Sequence, residues 1–180
     1  MIKLFRVDSR LIHGQIVEGW LKAYPVDEIL VIDDDIYNSE FETRVMRFSV
    51  PQEVSFEVLT IGMASERWRT FEASAKKILV IVQSIEILKK LFDTGVNLPG
   101  INMGLVNYTD SKTALTKSVY IDETEKDILL YLLEKGVKIF IQTLPSDEKI
   151  PLEKLMEGDG LWKGTGHKTC PQPQEPSPTI

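Results

Sequence analysis

The residues of this chain best equipped for chemistry lie in one run near its start, Arg6-Val7-Asp8-Ser9-Arg10-Leu11-Ile12-His13-Gly14-Gln15. Two guanidiniums, a carboxylate and an imidazole are packed together there, while the only other histidine, His167, lies far along the chain. A neutral imidazole is a good nucleophile toward phosphorus, and the phospho-imidazole it forms is a reactive intermediate rather than an end product. Its new negative charge requires donors already in place. Arg10 and Arg6 offer forked N–H groups, each charge-assisted contact contributing roughly 1.5–3 kcal/mol. Asp8 would repel a phosphate if it faced inward, so its sensible role is to orient an arginine or the imidazole N–H. Gly14 lets the backbone approach an incoming group with no Cβ in the way. The same residue types also admit a plainer reading, a capping histidine beside a surface ion pair worth roughly 0–1 kcal/mol. Chemistry alone does not decide between the two.

The elements that must position this run bear on that choice. Met1-Ile2-Lys3-Leu4-Phe5 reads as a strand, and Ile16, Val17, Trp20, Leu21 and Tyr24 recur on one face of a helix. The polar run is then a strand-to-helix loop at the carboxyl end of the first strand, where open α/β sheets hold their ligands. Backbone N–H groups at the new helix's start face the same space and favour anions.

The run through Val17 closely resembles the active-site segment of the IIB components of the mannose/fructose/sorbose family of the bacterial sugar phosphotransferase system. Weaker family-like stretches are Val31-Ile32-Asp33-Asp34, Ile101-Asn102-Met103-Gly104 and Ile141-Gln142-Thr143-Leu144-Pro145-Ser146-Asp147. The resemblance implies that His13 accepts a phosphoryl group from a IIA protein and passes it to sugar arriving through a membrane IIC/IID complex. It implies Arg10 as the main phosphate partner, Arg6 and Asp8 as supporting residues, and Nδ1 as the point of attachment; no residue type in the run shows which nitrogen is used. No cofactor or metal is required if the arginines balance the phosphate. Where the family often has a second glycine after Gly104, a histidine and a further glycine, this chain has Leu105, Asn107 and Ser111. These departures bear on the shape of that loop and the surface it offers a partner.

Composition narrows the field. A chain of 180 residues suits one domain with a full core, and a net charge of -6 argues against a general nucleic-acid binder. The single cysteine, Cys170, forms no intrachain disulfide and fits a reducing cytosol. The start lacks a signal-peptide layout, and no apolar run approaches the roughly 20 residues that span a bilayer. The expected location is therefore cytoplasmic, with membrane association only through IIC/IID.

Along the chain, strands alternate with helices. Residues 28–33, 55–60, 77–82, 99–104, 118–121 and 138–144 read as strands after the first. Asp33-Asp34-Asp35 reads as a solvated turn rather than a cation site. Ser39 and Glu42 form a capping-box pattern opening a helix with Phe41, Val45 and Phe48 on its inner face. Ala64, Trp68 and Phe71 belong to the core of the next helix. Ser84 is a good N-cap for a helix carrying Ile85, Leu88, Leu91 and Phe92 inward, closed by Gly95, and its turn is a candidate to line the cleft with Gly14 and Gln15. Asp122 and Glu125 cap a helix that buries Ile128, Leu129, Leu132 and Leu133 and stops at Gly136. Residues 151–156 form a terminal helical turn.

The expected fold is a single α/β domain over residues 1–157, a doubly wound, mostly parallel sheet of about seven strands with helices on both faces. Residues 158–180, rich in glycine and proline, read as a flexible tail. His167 and Cys170 within it are too few ligands for a zinc site. A catalytically silent regulatory relative is the main alternative function. A receiver-like signalling domain fits less well, because Gln83 and Ser84 stand where its acceptor aspartate belongs. The sugar, and whether the chain forms a homo-oligomer, are left open.

Overall fold

The computed structural model describes residues 1–157; the reading of residues 158–180 as a tail, and of His167 and Cys170, lies outside them. The first strand, β1 (Ile2–Asp8), is the middle of a seven-stranded sheet. To one side lie β4 (Ile78–Val82), β2 (Glu28–Ile32) and β3 (Ser55–Leu59); to the other lie β5 (Ile101–Leu105), β8 (Ile139–Ile141) and β9 (Ile150–Pro151). All neighbours pair parallel except β9, which runs antiparallel to β8. The buried β-branched runs Ile29-Leu30-Val31-Ile32 and Ile78-Leu79-Val80-Ile81-Val82 are what central parallel strands require, since both faces are covered.

Two apolar layers cover the sheet. On one face, Ile16 and Trp20 of α1 pack with Leu11, Ile12, Ile29, Val31 and Ile81. This helix starts as a π-helical turn, Gln15–Trp20, and continues as Leu21–Ala23. On the other face, α4 (Ile61–Ala73), α5 (Ile85–Asp93) and α6 (Glu123–Glu134) bury Ala64, Trp68, Phe71, Leu88, Leu91, Leu129 and Leu132 against Phe5, Val7, Val80 and Met103. The chain leaves β1 across one face toward β2, and leaves β4 across the other toward β5. The crevice at the carboxyl ends of β1 and β4 is thus a topological switch point, the place where such sheets bind ligands.

Several local expectations hold at the level of single bonds. Asp122 and Glu125 make the reciprocal capping box at the start of α6, and Gly95 and Gly136 adopt φ of +87° and +84° after α5 and α6. Asp33 caps a short helix, α2 (Asp34–Asn38), through bonds from the N–H groups of Asp35 and Ile36, and Asp34 accepts from the N–H of Ile61. The acidic triplet is therefore spent on helix starts.

Three expectations are corrected. Residues 118–121 do not join the main sheet: β7 (Tyr120–Ile121) pairs with β6 (Thr113–Ala114) in a separate antiparallel ribbon. Both edges of β5 are already occupied, by β1 and β8, so no edge remains beside it, and the seventh strand is β9 instead. In α3 (Glu40–Ser49), Phe41, Val45 and Phe48 face outward, with Phe41 77% and Phe48 89% exposed. Met46 and Val50 take the inner side, so the i, i+4, i+7 stripe that suggested a core face lies opposite the one that packs. Ser84 occupies the N-cap position of α5 but makes no side-chain bond to the helix start.

Candidate functional site

Residues two apart on a strand share a face, and this places Arg6 and Asp8 together on the α1 side while Phe5 and Val7 enter the opposite core. Both are fully buried. Arg6 donates from Nε (3.1 Å) and Nη2 (2.9 Å) to Oδ2 of Asp8, from Nη1 to Oδ1 of Asn102 and the carbonyl of Gln142 (3.1 Å), and from Nη2 to the carbonyl of Thr143 (3.2 Å). The indole of Trp20 lies against its face, 4.7 Å from ring centre to guanidinium carbon, and the indole N–H bonds the Thr143 carbonyl at 3.1 Å. With every side-chain nitrogen bonded and none in solvent, Arg6 has no N–H left for a phosphate. The expectation that it donates to one directly is corrected; it is a buried support.

Asp8 ties the loop together. Oδ2 serves Arg6 and also lies 3.2 Å from Nε2 of His13; Oδ1 accepts from the backbone N–H of Arg10 at 3.2 Å and lies 3.9 Å from Arg10 Nε. Burial alone would raise this carboxyl, but the hydrogen bond from His13 and the charge of Arg6 outweigh it and hold the group below the ordinary carboxylate range. Burial likewise lowers the Arg6 guanidinium, opposed by Asp8. An ionised Asp8 accepts only, so Nε2 of a neutral His13 must carry the proton and donate. That leaves the Nδ1 lone pair, which receives the backbone N–H of Gln15 at 3.3 Å.

The loop backbone makes this possible. The N–H of Leu11 bonds the carbonyl of Asp8 at 2.9 Å, closing a tight turn, and Leu11 sits at φ 53°. For a γ-branched residue the left-handed region costs roughly 1–2 kcal/mol, and burial of the Leu11 side chain at 2% exposure offsets it. The turn lifts Arg10 outward, 42% exposed, where Nη2 donates to Gln15 Oε1 at 2.7 Å, and presents His13 at the surface with 15% exposure. Gly14 is right-handed at φ -52°, and a Cβ there would meet no atom within 4 Å. Nothing inside the fold requires glycine at this point; the space it leaves is open to a visitor.

The neighbouring loop is held without its departing side chains. Ser9 bonds the Leu105 carbonyl through its N–H (2.9 Å) and Oγ (3.2 Å), and the N–H of Asn107 donates to Ser9 Oγ at 3.1 Å. These are backbone groups of residues 105 and 107, so Leu105 and Asn107 do not disturb the join. Of the candidate cleft residues, Gln15 reaches the site. Ser84 makes no bond to the loop among the described residues; its neighbour Gln83 does, donating from Nε2 to the Ser9 carbonyl at 3.5 Å.

Sequence reasoning gave no role to Asn102, Gly104, Gln142, Thr143 or Trp20 in this network. The available signal was a lone asparagine inside an apolar strand, Ile101-Asn102-Met103, directly across from Arg6 in the sheet. No group of three or more His, Cys, Asp or Glu able to hold a metal occurs among the described residues.

Comparison with known proteins gives this geometry a context. The family described as PTS system sorbose subfamily IIB component matches residues 2–165, reaching past the domain boundary read from composition. The N-acetylgalactosamine-specific phosphotransferase enzyme IIB component 1 of Escherichia coli (strain K12) is 27% identical over 157 residues, covering 82% of this chain and 94% of that protein. The PTS system fructose-specific EIIB component of Bacillus subtilis (strain 168) is 29% identical over 148 residues, covering 81% and 90%. The crystal structure of manxB from Thermoanaerobacter tengcongensis superposes with a TM-score of 0.80 at 30% identity, covering 89% of this chain and 97% of that one.

Proposed function

The chain belongs to the sorbose subfamily of IIB components of the phosphotransferase system, the phosphocarrier subunits of sugar phosphotransferases, and we propose that His13 is its phosphoryl-accepting residue, through Nδ1. The observation that carries this reading is the pairing of Nε2 with a buried, ionised Asp8 while Nδ1 stands at the surface. In the proposed step Nδ1 attacks phosphorus in line as the bond from phosphorus to the donor's own imidazole breaks. The proton on Nε2 stays, and the positive charge that develops on the ring is met by Asp8, as in other Asp–His pairs. Arg10, already at the mouth, supplies a mobile guanidinium to the phosphoryl oxygens, and the N–H of Gln15 passes from Nδ1 to one of them. The protein's contribution is positioning and charge neutralisation, which is what phosphoryl transfer demands.

The donor in this reading is a phosphorylated IIA protein, which the open space over Gly14 admits, and the acceptor is sugar presented by IIC/IID components. No helix among the described residues is long and apolar enough to cross a membrane; the proposed location is the cytoplasmic face of the membrane, reached through IIC/IID. Incubating the chain with the general phosphotransferase proteins and candidate IIA partners tests the assignment. The expected product is one acid-labile, alkali-stable phosphate per chain, absent in His13→Ala. Stoichiometric labelling of that variant would rule His13 out.

A further inference from the structure

The inference concerns why a charged side chain is buried beneath the site, and it rests on the reading of His13 as a carrier at Nδ1. We infer that Asn102 and Gly104 of β5 are positioning residues for the transfer: they seat the Arg6 guanidinium against Asp8 and, through Asp8, fix which nitrogen of His13 keeps the proton.

A buried ion pair is an expensive way to fill volume, because desolvation offsets most of its attraction and an apolar residue of similar size often serves stability as well or better. The sheet nonetheless gives up two core positions to hold this one. At residue 104 it carries no side chain, and a Cβ there would land on the carbon and both terminal nitrogens of the Arg6 guanidinium. At residue 102 it places a fully buried asparagine. The orientation of Asn102 is itself determined: Nδ2 donates to the Gln142 carbonyl at 3.1 Å, which turns Oδ1 toward Arg6 Nη1. Nη1 shares that same carbonyl, so guanidinium, carboxamide and the chain leaving β8 close a ring of hydrogen bonds. The face of the cation is covered by Trp20.

This assembly has one outlet toward the surface. Both N–H groups on the open side of Arg6 converge on Oδ2 of Asp8, and the oxygen's remaining contact is Nε2 of His13. A guanidinium free to rotate would let the carboxylate follow it, and the imidazole would lose the acceptor that selects its tautomer. Identity of the second hydrogen bond is what sets the active nitrogen of a histidine. The clamp therefore acts on the chemistry through geometry two bonds removed, without touching the phosphoryl group.

The test uses the full chain carrying Asn102→Ala or Gly104→Ala. Nitrogen NMR of the imidazole at alkaline pH is expected to show one dominant tautomer, Nε2–H, in the unaltered chain and a mixture in both variants. With a phosphorylated IIA donor, kcat is expected to fall roughly tenfold, the scale of comparable supporting residues, while KM for the donor stays within about twofold because the docking surface is unchanged. In an Arg6→Lys background, Asn102→Ala should add little, since the fork it holds is already gone. Leu132→Ala, a core deletion on the far face of the sheet, should lower stability and leave the imidazole spectrum as it was. If Gly104→Ala fails to fold, Asn102→Ala carries the test alone. A folded Asn102→Ala variant with the original spectrum and rate overturns the inference. Should the unaltered chain accept no phosphoryl group, the carrier reading falls, and the imidazole spectra still decide the clamp.

Discussion

Nε2 of His13 lies 3.2 Å from Oδ2 of Asp8, an oxygen that already receives two N–H groups from Arg6. One carboxylate oxygen thus joins a buried cation to a surface imidazole. Replacing Asp8 by Asn leaves Arg6 buried without its counter-charge and should cost about 3–5 kcal/mol at neutral pH. A carboxyl held below its ordinary value contributes stability above the unfolded-state value, about pH 4, and loses it as the pH falls through the folded-state value. The stability difference between the unaltered chain and Asp8→Asn should therefore shrink below about pH 4 in urea titrations. A difference that stays constant with pH would count against the ionised pair.

Arg10→Ala removes a half-exposed donor bonded only to Gln15 Oε1 and the edge of Asp8. Stability should change by less than about 0.5 kcal/mol, as for surface substitutions generally. Phosphoryl transfer should slow by roughly a hundredfold, the loss typical of one preorganised donor. Rapid-quench rates and a thermal melt on the same sample check both halves; an unchanged rate removes Arg10 from the site.

Leu11 gives an inverted ranking. In ordinary strands and helices glycine is less stable than alanine by roughly 0.5–1 kcal/mol. At φ 53° the alanine retains the left-handed strain and the glycine escapes it. Both variants lose the buried leucine side chain, so both should be destabilised, with Leu11→Gly at least as stable as Leu11→Ala. Chemical denaturation of the pair decides it, and the normal order would show that the turn relaxes.

The outward stripe of α3 supplies a control on packing. Phe48→Ser should alter stability by no more than about 0.5 kcal/mol, because Phe48 is 89% exposed. A loss of the roughly 3–5 kcal/mol expected of a core phenylalanine would restore the inner-face reading of that helix.

The fold class was legible because alternation of buried strands with capped helices is written locally, in runs such as Ile78-Leu79-Val80-Ile81-Val82 and in the Asp122/Glu125 box. The face of α3 was not. Its apolar residues lie on both sides of the helix, and only the tertiary position of Met46 and Val50 decides which side packs. The reactive run was legible for the same reason as the fold: His13, Arg10 and Asp8 are neighbours in sequence. The support beneath it comes from residues 102, 104, 142 and 143, separated from Arg6 by nearly a hundred positions or more. Pairing of β1 with β5, and of β5 with β8, brings them together, and no local pattern announces that pairing.

The two-residue β9 has a consequence for molecules gathered in number at one place. Strand rims with free N–H and carbonyl groups are templates on which further chains can zip, and proteins protect them by keeping the last strand short or placing proline there. Here the final strand is Ile150–Pro151, and half of it is a residue with no N–H to offer. On that flank the sheet ends in a blunt stop, so crowding many copies together gives them no ladder to extend.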